Sequence, residues 1–248
     1  MFSRAALDRD IRNSTDYRCM VYRHILNLFL KPNCPLCDRA AEAVTCAYCQ
    51  RQLQRCRFAN PRQHWRGKMP VFVWGHYGES LKRAIAALKY ENNPQLSQPL
   101  GQWLGQAWNE AAIARSTKLA VVPIPMHPHK RRQRGFDQAE LIARSFCQVT
   151  GLPLQSRGLE RVRQTEALFG LSPDARVREV SDAFALGAQF HHLPKRCLPK
   201  AVLLLDDIYT TGATARSAVT VLESRGIRVV GLVAIATSKG RNSRVDRD

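Results

Sequence analysis

The segment Leu203–Thr214, LLLDDIYTTGAT, holds the residue types best suited to chemistry. Its leucines bring the chain to the carboxyl edge of a buried sheet, where α/β folds hold their ligands. Asp206 and Asp207 then emerge as consecutive carboxylates, able to accept hydrogen bonds from vicinal ribose hydroxyls and to help hold a magnesium ion. Thr210, Thr211, Gly212, Ala213 and Thr214 follow, directly ahead of a helix. Their N–H groups and hydroxyls meet the positive end of that helix, a natural seat for a phosphate dianion. Gly212 lets the backbone approach closely. A capping threonine and a turn would account for the Thr-Gly run alone, but two acids ending a buried strand serve stability poorly. The segment reads as a grip for a phosphorylated ribose.

Cys34, Cys37, Cys46 and Cys49 form two CxxC pairs, the second constellation. Four thiolates carried on two tight turns satisfy tetrahedral zinc at ~2.3 Å and leave no position open for catalysis. So short a segment cannot build its own core, so bound metal supplies its folding energy. Structural zinc is the expected occupant, with an iron–sulfur cluster or redox dithiols as the alternatives. The clustering of cysteines, rather than a spread along the chain, points to a metal site in a reducing compartment. Arg39, Arg51, Arg55 and Arg57 leave two roles open for this module, contact with nucleic acid or a structural lid.

Lys130, Arg131, Arg132 and Arg134 make a dense basic run between His127 and the following helix. They either draw an anion, a nucleic-acid strand included, towards the sheet edge or form a solvated loop rich in Lys and Arg. Tyr48, Phe58 and Trp65, interleaved with arginines, suggest stacking on single strands. His127 and His129 are read as surface residues with no role in proton transfer.

The elements that must position these groups follow from periodicity. Strands are predicted at 71–74, 119–124, 201–205 and 228–236, the later ones as continuous apolar runs buried on both faces. Helices are predicted at 79–90, 96–114, 136–149 and 214–225, with Gly226 stopping the last. Strand, helix, strand at this spacing gives a parallel sheet with right-handed crossovers. Residues 159–179 read as a long polar loop rich in arginine. Along the 248 residues, the expected organisation is an N-terminal extension over 1–30, partly disordered, and a four-cysteine finger over 31–60. An α/β domain over 70–240 and a basic tail over 241–248 complete it. No apolar run is long enough to span a bilayer and no secretory signal opens the chain, so a cytoplasmic location is expected. The 38 Lys and Arg against 20 acids give a net charge of +18, a field that attracts polyanions or small phosphates, unless it is simply a solvated basic surface.

DDIYTTGAT resembles the phosphoribosyl pyrophosphate (PRPP) signature of type I phosphoribosyltransferases at every defining position. The resemblance extends over residues 32–240 in the order of the ComF/GntX family, a cysteine-rich finger followed by a phosphoribosyltransferase domain. VVPIPMHPHKRRQRGFDQAE, LERVRQTEALFGL and DAFAL are similar to that family's connecting motifs. Two positions depart from it: Asp137 stands where Asn is usual, and Leu168 where Gln is usual. The resemblance implies a type I phosphoribosyltransferase-like parallel sheet flanked by helices, with a small N-terminal zinc-finger-like module. It puts the 5′-phosphate on Thr210–Thr214, the ribose and Mg²⁺ on Asp206 and Asp207, and pyrophosphate on Pro125, Met126 and His127. Arg161, Arg163 and Thr165 become phosphate contacts on a closing loop, and Asp206, Asp207, Arg161 and Arg163 the catalytic set. Pyrophosphate would then leave the anomeric carbon through an oxocarbenium-like state, helped by charge stabilisation and exclusion of water. The family is associated with natural competence, which implies single-stranded DNA as a partner together with DNA-uptake or helicase machinery. The expected function is a competence-associated protein with a PRPP site that handles imported single strands. The alternative is an active transferase moving ribose 5-phosphate to an unidentified base or amine.

Overall fold

The computed structural model describes residues 32–113, 119–163 and 183–238. The chain divides into two compact units, Met1–Gln50 and Arg51–Asp248. Thr165, Leu168, the 1–30 extension and the 241–248 tail, all singled out from sequence, lie outside the described residues.

In the first unit the chain reverses tightly over the first cysteine pair. Cys34 N donates to Arg39 O at 2.8 Å, Asp38 N donates back to Cys34 O at 2.8 Å, and Asn33 and Ala40 bridge as antiparallel partners. The second pair is carried at the start of helix α1, Ala47–Gln54. Cys34, Ala41, Cys46 and Cys49 form the unit's small core, with Leu36 and Cys37 against it.

The second unit is built on four strands, β1 (Val71–His76), β2 (Leu119–Pro123), β5 (Ala201–Tyr209) and β6 (Arg228–Thr237). They pair in parallel in the order β1-β6-β5-β2. A parallel sheet needs cover on both faces, and the strands are accordingly apolar on both. On β1, Phe72 meets the edge of Trp108 at 5.3 Å and Trp74 stacks on Trp103 at 5.6 Å. Those tryptophans belong to α3 (Ser97–Glu110), which thereby lays its aromatic side chains against β1. Helix α5 (Gln138–Thr150) packs directly on α3. At Gly101 any Cβ would lie 2.4 Å from Ile142 O, so only glycine permits so close a crossing. On the other face, Val71 and Val73 join Val202, Leu204, Ala215, Ala218 and Leu222. The last three belong to α7 (Ala213–Glu223). Helix α2 (Glu79–Tyr90) has the bounds expected from its apolar spacing.

Two features differ from the sequence expectation. The basic run is helical, α4 (Pro128–Arg134), because Pro128 starts it after His127 caps it and Gly135, in the left-handed region at φ +83°, ends it. The segment after Gly158 begins as a strand, β3 (Leu159–Arg161), paired antiparallel with β4 (Phe184–Leu186) ahead of the short helix α6 (Ala188–His191). Leu159, Phe184 and Phe190 anchor this flap in the core.

Candidate functional site

The acid pair is more deeply set than its sequence suggests. Strand β5 does not stop at Leu205 but runs through both aspartates, pairing Asp206 with Ala234, Ile208 with Ala236 and Tyr209 with Thr237. Alternation along the strand separates the two side chains, yet the Lys89 charge acts on both. Asp207 is 4% exposed, and its Oδ2 lies 2.8 Å from Nζ of Lys89 near the end of α2. Burial pulls the Lys89 ammonium down, but the Asp207 charge and hydrogen bond outweigh it and hold the lysine above its ordinary pKa. Asp206 accepts from Asp207 N at 2.8 Å. Its carboxyl is pushed well above the usual range, first by desolvation and then by the neighbouring Asp207 charge. Arg161, on β3, is depressed by burial and partly restored by Asp206.

The turn after β5 is shaped for an anion. Gly212 sits at φ +77°, where a Cβ would meet the Tyr209 hydroxyl at 2.8 Å. It precedes α7 and supplies no side-chain cap, and helical geometry leaves the amides of the first turn without intrahelical acceptors. Thr211 Oγ1 accepts from Ala213 N at 3.3 Å, and Arg216 Nη1 donates to Thr211 O at 3.0 Å. Arg216 therefore braces the Thr210–Gly212 turn from behind, a role sequence reasoning missed.

On the neighbouring strand, Ile124 N donates to Leu205 O at 2.8 Å and carries the Pro125–His127 loop alongside β5. Asp137 fixes that loop. Its Oδ1 accepts from Ala139 N and Glu140 N as the cap of α5, while Oδ2 accepts from Met126 N at 2.8 Å. Burial pushes this carboxyl up against those three N–H groups and the Arg131 charge.

A cavity of about 190 Å³ is lined by Lys89, Met126, His127, Lys130, Arg134 and Arg161, among others. Residues read separately from sequence as pyrophosphate loop, closing loop and basic run thus face one space, and Lys89 links it to Asp207. Arg131 is turned elsewhere. It bridges Glu140 at 3.0 Å and lines a second cavity of about 360 Å³ with Pro125, Arg157 and Gly187. Arg163 lies at the end of the described flap, where its N–H meets Ala183 O at 3.5 Å. Of the aromatic residues expected to stack on single strands, Trp65 instead meets Trp108 edge-on at 5.3 Å and Phe58 packs on the core. Tyr48 is half exposed, with Arg39 5.0 Å from its ring centroid.

In the first unit, the four cysteine sulfurs lie within 4.8 Å of one another, and those of Cys37 and Cys46 are 3.5 Å apart. Four thiolates at ~2.3 Å from a tetrahedral ion stand about 3.8 Å apart, so the set fits a metal. Cys49 N points at Cys46 Sγ at 3.5 Å and draws that thiol down to about 7, whereas burial pushes the Cys49 thiol up. Among the described residues no helix is long and apolar enough to cross a membrane.

No family model matches the chain. Among solved structures it is similar to the adenine phosphoribosyltransferase of Leishmania tarentolae, with 11% identity, 73% of this chain and 94% of that one covered, and a TM-score of 0.37. The enzyme from Leishmania donovani gives 12% identity, 81% and 86% coverage, and a TM-score of 0.36. Likeness this distant carries no weight for function. Sequence relatives reach further. Competence protein F of Haemophilus influenzae is 26% identical over 231 residues, 90% of this chain and 98% of that protein. Competence protein ComFC of Streptococcus pneumoniae is 24% identical over 220 residues, 89% and 87% of the two chains. DNA utilization protein YhgH of Salmonella typhi is 28% identical over 159 residues, 62% and 66% of the two. With such relatives over most of its length, the chain is a homologue of the competence protein F, ComFC and YhgH proteins, the ComF-type family that its finger and DDIYTTGAT motifs resemble.

Proposed function

We propose that the end of β5 binds the 5-phosphoribosyl group of PRPP, and that the protein uses this site while handling imported single-stranded DNA. The observation that carries the reading is the pairing of two set-in carboxylates with an uncapped helix start across a left-handed glycine. Thr210–Thr214 would take the 5′-phosphate on the amides of α7, and Asp206 and Asp207 the ribose hydroxyls. Met126, His127 and Arg161 line the cavity where the pyrophosphate end would lie. Magnesium suits the acid pair, since a cation there offsets both the burial and the neighbouring Asp207 charge that raise Asp206. Held by those carboxylates, it would neutralise phosphate charge.

The cysteine set would hold structural zinc, given its all-thiolate donors and the lack of an open position. Cysteines clustered as a metal set suit a reducing cytoplasm, and the names of the relatives support a setting in DNA uptake. We read the finger as residues 31–60 and the phosphoribosyl-binding domain as 70–240.

A second reading, turnover of PRPP onto a base or amine, is favoured by one observation. The 360 Å³ cavity between the Pro125 loop and the flap is large enough for a planar acceptor beside Arg161.

The test is an Asp206→Asn, Asp207→Asn double variant assayed for PRPP binding by calorimetry and for binding of single-stranded DNA. Loss of PRPP binding alone supports two separate sites, and loss of both joins them. Unchanged PRPP binding sinks the reading. Release of pyrophosphate from PRPP across a panel of bases decides the second.

A further inference from the structure

Tyr90 ends α2 beside Lys89, yet the two side chains part company. Lys89 turns inward onto Asp207, while Tyr90 is 77% exposed, the most open of the large apolar side chains among the described residues. Its ring is not without a neighbour, because the Arg134 guanidinium lies 5.4 Å from its centroid. Tyr90 also lines a broad depression of about 620 Å³ with Lys89, Lys130, Arg132 and Arg134, and the described residues of that lining include no acid. Lys89, Tyr90, Lys130 and Arg134 are shared with the 190 Å³ cavity that reaches Met126, His127 and Arg161. A single cationic surface therefore runs from an exposed aromatic ring to the edge of the sheet.

An exposed ring among cations, without acids, suits a ligand with flat faces and a charged backbone. Cations alone would serve any polyanion, and duplex backbones need nothing more. An aromatic platform adds something only for unpaired bases, whose π-faces are free to stack. Arginine behind the ring strengthens it as a platform by fixing its plane and by cation–π attraction.

We infer that Tyr90, braced by Arg134, is the base-stacking platform of a single-stranded nucleic-acid site whose phosphates rest on Lys130 and Arg132. This rests on the reading that the protein handles single strands, and it assigns the surface. Arg131, although in the middle of the basic run, stands outside the site because Glu140 engages it on the other side of the helix.

The full-length protein is tested by fluorescence anisotropy with a labelled dodecathymidylate, a matching abasic oligomer and a duplex. Wild type is compared with Tyr90→Ala, Tyr90→Phe and Arg131→Ala, and a parallel PRPP titration reports the phosphate loop. Tyr90→Ala is expected to weaken dodecathymidylate binding by roughly ten- to a hundredfold. Tyr90→Phe should bind as wild type, Arg131→Ala should lose far less than Tyr90→Ala, and the abasic oligomer should not distinguish Tyr90→Ala from wild type. Wild-type affinity in Tyr90→Ala, an equal loss on the abasic oligomer, or duplex binding as tight as single-strand binding overturns the assignment while leaving DNA handling intact. If wild type binds no oligomer while PRPP still titrates, both the assignment and the DNA reading fall, and the PRPP site stands.

Discussion

Lys89 Nζ lies 2.8 Å from Asp207 Oδ2, joining the end of α2 to the carboxyl end of β5 through a largely buried ion pair. The lysine thereby holds a carboxylate that a parallel sheet would otherwise carry without compensation. Removing one member of such a pair strands the other in a poorly solvated place. Lys89→Met is expected to lower unfolding free energy by about 3–5 kcal/mol, towards the low end because Lys89 keeps some solvent contact. Adding Asp207→Asn should recover most of the loss. Urea denaturation of both single variants and the double variant measures the coupling, and additive losses would show that the pair does not act as a unit.

Asp206 carries the opposite sign. Its folded-state carboxyl is raised well above the ordinary value of 3.8, so the folded protein binds its proton more tightly than the unfolded chain does. Stability therefore falls as pH rises above about 4 and continues to fall until the folded carboxyl has ionised. Asp206→Asn removes this cost. The variant should be more stable than the parent at neutral pH, with the gap closing below about pH 4, in thermal scans across that range. A variant less stable than the parent at neutral pH would contradict the assignment of Asp206 as a strained functional acid.

The parts of the architecture that depend on local pattern were open to sequence reading. The bounds of α2 follow from Leu81, Ile85 and Leu88 at helical spacing and the Asn-Asn-Pro stop. The strand positions follow from apolar runs, and the metal set from CxxC spacing. Long-range effects were not. Strand β5 continues through two aspartates because β6 offers it a full ladder and Lys89 supplies a countercharge, neither of which is local. Lys89 and Tyr90 read alike as the polar end of a helix until the sheet edge distinguishes their directions. The Lys130–Arg134 run looked like a loop because like charges and a nearby proline mask a helix that a histidine caps and a glycine ends.

Asp137 makes a prediction about the loop it holds. One oxygen caps α5 and the other accepts from Met126 N, so both must be acceptors. Asn in its place keeps the cap but turns an amide N–H₂ towards the Met126 N–H. Asp137→Asn should speed hydrogen exchange at Met126. It should also weaken PRPP about fivefold, the equivalent of one hydrogen bond at about 1 kcal/mol. Unaltered exchange at Met126 would mean that the loop is held by its packing.

The cysteine centre should hold one metal ion per chain, measured by elemental analysis. Because the first unit has only a small core besides its sulfurs, a strong chelator should unfold it while the sheet keeps its circular dichroism. Cys46→Ser should reproduce the chelated state. Full helix and finger signals after complete metal removal would show that the unit folds without an ion.

The basic helix gives a quantitative test through salt. Each phosphate neutralised on a single strand contributes about −0.7 to the slope of log affinity against log salt. Lys130 and Arg132 are the phosphate contacts of the open depression, while Arg134 braces Tyr90, so two contacts predict a slope of about −1.4 from this surface. Lys130→Ala should make the slope shallower by about 0.7, and Arg132→Ala likewise. Arg131→Ala should leave it unchanged. Its guanidinium is engaged by Glu140, which also holds Arg144 at 2.6 Å, and the pair lies on the side facing α5. An equal change in slope for Arg131 and Lys130 would mean that the strand crosses the helix rather than following the Tyr90 side. The absolute slope also reports any contribution from the finger, since cations outside the depression would steepen it beyond about −1.4 without altering the difference between these two variants.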